Sequence, residues 1–189
     1  MDIPGGEKTI NNKLSDEKEI ADCPYEPRTI RYEELPKLLS LYRQLHPEDP
    51  EVHPEELLDP LWDEIYNDPN LHYIVMDENG EIVSSCTISI IKNLTRGLRP
   101  YGLIENVVTR KDYRKRGYGT RVLHKAIDIA RKNNCYKVML MTGSKNEDTL
   151  RFYEKAGFAR GIKTGFIVNL QTCESIALMG IKDVLSKRS

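Results

Sequence analysis

The residues best suited to chemistry stand in one octapeptide, Tyr113-Arg114-Lys115-Arg116-Gly117-Tyr118-Gly119-Thr120, and in one carboxylate upstream of it, Glu105. Three cations followed by two glycines at the mouth of a helix describe a socket for a phosphorylated ligand. Gly117 and Gly119 lack Cβ, so the backbone can turn with positive φ and bring its N–H groups against an anion. From Tyr118 to about Asn134, Val122, Leu123, Ala126, Ile127 and Ala130 recur at helical spacing, with Arg131 and Lys132 in the last turn. The N-terminus of that helix faces the loop, where unpaired amides and the positive dipole end favour a diphosphate. The run is neither a Walker loop, which needs Gly-x-x-x-x-Gly-Lys-Ser/Thr, nor a Rossmann fingerprint, whose third glycine is replaced by Val122. The alternative is a basic surface turn ahead of an amphipathic helix.

Glu105 falls in a strand expected over Leu103 to Thr109. Alternation places Leu103, Glu105, Val107 and Thr109 on one face and Ile104, Asn106 and Val108 on the other. A carboxylate among these apolar neighbours is costly unless paired or used. A salt bridge, or orientation of a ligand, would serve as well as proton transfer.

The elements that must position these residues follow from hydrophobic periodicity. A short edge strand is expected within Ala21 to Thr29, then helices over Tyr32 to Leu45 and Glu55 to Tyr66. From Leu71 the period changes to two. Leu71 to Met76 and Glu81 to Ile91 read as a hairpin around Asp77-Glu78-Asn79-Gly80. Beyond the loop helix come a strand at Tyr136 to Met141 and a helix begun by Asn146-Glu147-Asp148 and ended at Gly157. Two last strands are expected at Ile162 to Leu170 and Ser175 to Ile181. Strand, glycine loop, helix, strand is a βαβ unit, so its two strands should be parallel neighbours. Residues 1–20 read as a polar extension, 21–182 as one domain and 183–189 as a basic tail.

Composition narrows the function classes. The chain has 189 residues, 39% hydrophobic and 30% charged, which suits one domain with a sizeable core. A net charge of −1 argues against bulk nucleic-acid affinity. Cys23, Cys86, Cys135 and Cys173 form no Cys-x-x-Cys pair, and reduced thiols are expected. His46 and His53 lie among Glu48, Asp49 and Glu51, but prolines break the spacing and no second ligand pair follows, so no metal is expected. With no leader and no long apolar run, a cytoplasmic protein without membrane contact is expected.

Arg114-Lys115-Arg116-Gly117-Tyr118-Gly119 resembles the Arg/Gln-x-x-Gly-x-Gly/Ala signature of the GNAT superfamily of acyl-CoA N-acyltransferases. A second feature follows in the right order: Asn146, Thr149, Phe152-Tyr153, Lys155 and Gly157-Phe158. The resemblance implies an α/β GNAT fold, with a mixed, mostly antiparallel sheet of about six or seven strands. The two strands around the glycine loop would splay apart as a parallel pair, and about four helices would flank the sheet. It implies acetyl-CoA as cosubstrate, held at the loop from Arg114 to Thr120 and along the backbone of Val107, Val108 and Thr109. Asn146, with Thr149 and Phe152 of the same motif, would face the cofactor arm, and a backbone N–H near Val107 would stabilise the oxyanion.

It further implies direct transfer of acetyl to a primary amine in a ternary complex, with Tyr153 as general acid and Glu105 as the matching base. A phenol with pKa ~10 can protonate a departing thiolate whose thiol has pKa ~8.5. Tyr153 could otherwise be a core aromatic, although Phe152 beside it fills that role. A homodimer is a family-level expectation. The stretch from Arg99 to Val108 is similar to the glucosamine-phosphate N-acetyltransferase branch, but Leu103 and Asn106 stand where that branch usually has His and Asp. The acceptor therefore stays open among amino-sugar phosphates, polyamines, amino acids and antibiotics. The alternatives are a peptide or protein amine as acceptor, or a non-catalytic acyl-CoA sensor.

Overall fold

The computed structural model describes residues 24–45 and 54–168. Five strands follow one another in space in chain order: β1 (Arg28–Thr29), β2 (Leu71–Glu78), β3 (Glu81–Ile91), β4 (Tyr101–Thr109) and β5 (Val138–Leu140). Neighbours from β1 to β4 are antiparallel, and β4 and β5 are parallel. The helices are α1 (Leu35–Tyr42), introduced by a 3₁₀ turn at Tyr32–Glu34, then α2 (Glu55–Asn67), α3 (Tyr118–Lys132) and α4 (Glu147–Lys155).

The β2–β3 hairpin forms where two residues accept positive φ: Asn79 at 54° and Gly80 at 84°. That pair sets a turn whose twist matches the strands, and Gly80 N donates to Asp77 Oδ1 at 2.8 Å. Each face of the sheet is then covered by a different helical layer. On one, Ile74, Met76, Cys86, Ile88 and Ile104 pack against Val122, Leu123, Ala126 and Ala130 of α3. On the other, Val75, Ile82 and Val108 pack with Leu38 and Leu41 of α1 and Trp62 of α2. Each fully buried Leu or Ile in these layers contributes roughly 1.5–3 kcal/mol.

An ionic knot fixes the start of α1. Arg28 Nη1 and Nη2 donate to the two oxygens of Glu34, both at 2.7 Å, and Nη2 also reaches Asp77 Oδ2 at 3.0 Å. Arg31 N donates to Glu34 Oε2 at 2.9 Å. The Arg28 guanidinium, more than any other group, holds the Glu34 carboxyl down to about 2.

The strand count corrects the sequence expectation. Five strands are present among the described residues, fewer than six or seven. Residues 162–168 form no strand, and Ile162, Phe166 and Val168 are exposed. An alternating apolar run becomes a strand only beside a partner that takes its backbone hydrogen bonds. The Ser175 to Ile181 strand, the 1–20 extension, the 183–189 tail and the His46 to His53 segment lie outside the described residues. The chain divides into two compact units between Ala159 and Arg160. The described part of the second, 160–168, carries no helix or strand.

Candidate functional site

The site begins where the sheet opens. β4 pairs with β5 at Gly102, Leu103 and Ile104, opposite Val138, Met139 and Leu140. β5 ends there while β4 runs on to Thr109. Residues 105–109 therefore present an edge that β5 does not cover.

That edge carries a bulge. Glu105 pairs with Thr87 and Val108 with Ser85, so Asn106 and Val107 together face the single residue Cys86. Asn106 takes φ 53°, the left-handed conformation that an asparagine tolerates better than a branched residue. The extra residue changes which face each side chain occupies. Val107 packs on the α3 face, whereas Val108 is buried on the α1 face. The regular alternation expected across Glu105, Val107 and Thr109 is broken at this point. Glu105 itself is exposed rather than surrounded by apolar residues, because it lies one residue beyond the last β4–β5 pair. Its side chain makes no hydrogen bond or ion pair among the described residues.

The glycine loop abuts the same edge. Gly117, at φ 76°, is the N-cap of α3 and offers no side chain to its first amides. The first helical bond runs from Arg121 N to Gly117 O at 3.0 Å, which leaves the N–H groups of Tyr118, Gly119 and Thr120 without an intrahelical acceptor. A Cβ on Gly119 would come to 3.0 Å from Phe152 Cζ and 3.2 Å from Thr109 Oγ1. Only glycine lets the N-terminus of α3 approach β4 and α4 so closely. The three cations are exposed. Arg114 Nε donates to Thr109 O at 3.2 Å, and the Arg116 guanidinium lies 4.8 Å from the centre of the Tyr113 ring.

The third wall is α4. Asn146 Oδ1 accepts from Asp148 N at 2.8 Å and so caps the helix. Thr149 and Phe152 are half-buried, and the Phe152 and Tyr153 rings lie 4.9 Å apart. Tyr153 is raised above the usual phenol value, first by burial and then by nearby negative charge such as that of Glu105. It therefore stays protonated at neutral pH, which suits a proton donor. The Cys86 thiol is buried, is pushed well up by desolvation, and donates to Val122 O at 3.4 Å, which does not suit a nucleophile.

Residues 38–158 match the acetyltransferase (GNAT) family profile. The chain belongs to the GNAT acetyltransferase family. The structure of a putative acetyltransferase from Agrobacterium tumefaciens str. C58 superposes with a TM-score of 0.72 at 43% identity, over 76% of this chain and 99% of that one. Streptothricin acetyltransferase A of Bacillus subtilis (strain 168) is 42% identical over 79 residues, 41% of this chain and 46% of its own. Glucosamine 6-phosphate N-acetyltransferase of Trypanosoma brucei brucei is 42% identical over 79 residues, 42% of this chain and 52% of its own. This GNAT chain thus spans about half the length of these two curated relatives.

One grouping beside this candidate site is not visible in the sequence. Tyr42, the last residue of α1, brings its hydroxyl toward Ser85 and Asn106 on the α1 side of the bulge. Neither Tyr42 Oη nor Ser85 Oγ completes a hydrogen bond of good geometry among the described residues, and both atoms are buried. Nothing in the helical period distinguishes such a tyrosine from a core aromatic. No group of three His, Cys, Asp or Glu among the described residues could hold a metal, and no described helix is long and apolar enough to cross a membrane.

Proposed function

We propose that this chain transfers the acetyl group of acetyl-CoA directly to the primary amine of a small molecule. The observation that carries the reading is the bulged edge of β4, not covered by β5, lying beside the glycine-capped start of α3. The amides of Tyr118 to Thr120 and the cations Arg114, Lys115 and Arg116 would receive the diphosphate. Gly119 fits this role, since any Cβ there would fill the approach. The pantetheine arm would run along Val107 to Thr109, with Val108 contributing backbone alone because its side chain is buried. Asn146 NH₂ and the Thr149 and Phe152 side chains would flank it.

In this reading the acceptor ammonium loses a proton to Glu105 through water. The amine nitrogen attacks the thioester carbonyl, and the Val107 N–H steadies the oxyanion, a donor typically worth ~3–4 kcal/mol. The C–S bond then breaks, the electron pair goes to sulfur, Tyr153 supplies the proton that makes the free thiol, and the attacking nitrogen gives up its remaining excess proton to solvent as the neutral amide forms. Glu105 and Tyr153 return to their starting states by exchange with solvent.

The names of two relatives, which act on streptothricin and on glucosamine 6-phosphate, favour a small-molecule amine acceptor. The test is mass-spectrometric detection of an acetylated product after incubation with acetyl-CoA and glucosamine 6-phosphate, streptothricin, aminoglycosides, polyamines, amino acids or basic peptides. A mass gain on a small amine supports the proposal. A gain on peptides alone would move the acceptor to the protein class, and tight acetyl-CoA binding without any product would favour a sensor.

A further inference from the structure

We propose that Glu78 is a positioning residue for the diphosphate loop. The inference rests on the reading of that loop as a diphosphate socket. Glu78 ends β2, and its side chain is 16% exposed. The Tyr118 hydroxyl donates to Glu78 Oε2. Arg116 Nη1 lies 3.8 Å from Glu78 Oε1. One carboxylate thus engages both residues that flank Gly117, the left-handed corner on which the loop turns into α3.

The rest of the corner depends on the same arrangement. Arg116 Nη2 donates to Asp112 O at 3.1 Å, and the Arg116 guanidinium stacks on Tyr113. A glycine N-cap costs ordering entropy and supplies no side-chain bond of its own. The direction of the amides of Tyr118, Gly119 and Thr120 must therefore be set by neighbours. Glu78 sets it from β2, two strands away from the uncovered edge of β4. It acts on the part of the cofactor that carries phosphate and leaves the thioester end untouched.

The test measures equilibrium binding of CoA and of pantetheine, which lacks the diphosphate, to wild type, Glu78→Ala, Glu78→Gln and Tyr118→Phe. Losing a hydrogen bond to a charged group should weaken CoA binding about tenfold in Glu78→Ala, with pantetheine binding unchanged. Glu78→Gln keeps an acceptor for Tyr118 and should recover to within about threefold of wild type, since it forfeits only the charge-assisted part. Tyr118→Phe keeps the ring and should weaken CoA binding several-fold, which carries the test if Glu78→Ala does not fold. Unchanged CoA affinity in Tyr118→Phe and in a folded Glu78→Ala would overturn the proposal, as would an equal loss for CoA and pantetheine. A wild type that binds CoA no more tightly than pantetheine would remove the diphosphate reading itself, and this proposal with it.

Discussion

Phe152 Cζ stands 3.0 Å from the point that a Cβ on Gly119 would occupy, so α4 is seated directly on the first turn of α3. This contact joins the two sequence motifs into one site. Gly119→Ala must displace the ring or the helix, at a cost of about 1–3 kcal/mol as overpacking. Chemical denaturation should show that loss, together with weaker CoA binding. Gly119→Ala combined with Phe152→Leu should regain part of both. Additive losses in the double variant would mean that the contact does not constrain the helix.

The Glu34 knot predicts an acid-labile start to α1. Its folded-state value of about 2 lies below the ordinary 4.5, so its stabilisation is present above pH 4.5 and fades as pH falls from there toward 2. The full effect is about 3 kcal/mol. Urea midpoints measured between pH 5 and 2.5 should fall less steeply in Glu34→Gln than in wild type. Parallel pH profiles would place the acid lability elsewhere.

The Tyr42 hydroxyl is buried without a completed hydrogen bond among the described residues. Removing such a group relieves a desolvation cost, so Tyr42→Phe should be neutral or more stable by up to about 1 kcal/mol. Thermal unfolding decides. A loss above about 1 kcal/mol would show that the hydroxyl is paired in solution.

Much of this architecture is legible in the residues themselves. Asn79-Gly80 announces the hairpin, Gly117 the left-handed helix cap, Asn146 an N-cap and Gly157, at φ 99°, a helix stop, because each is a local conformational demand that few residue types meet. The bulge at Asn106 is not legible. Asparagine tolerates positive φ without requiring it, and the slip appears only when β3 supplies one residue against two. Nor is the end of β5 at Leu140 legible, and it leaves Glu105, put among apolar neighbours by alternation alone, exposed one residue beyond the last β4–β5 pair. The Tyr42–Ser85–Asn106 grouping and the grip of Glu78 on Tyr118 join residues far apart in the chain and leave no periodic trace. The run from Ile162 to Val168 carries a strand pattern in sequence but forms no strand among the described residues.

Proton supply to the leaving thiolate is the central claim, and Tyr153→Phe tests it most directly. Acceptor-dependent thiol release should be followed at saturating acetyl-CoA in both proteins. The account predicts that kcat falls about 10²–10⁴-fold, the usual worth of a positioned acid, while the KM for acetyl-CoA stays nearly constant. Because the Tyr153 phenol is raised above 10, wild type should also show no loss from this group until pH exceeds that value. An unchanged kcat in Tyr153→Phe would contradict the account and leave the ring as packing alone.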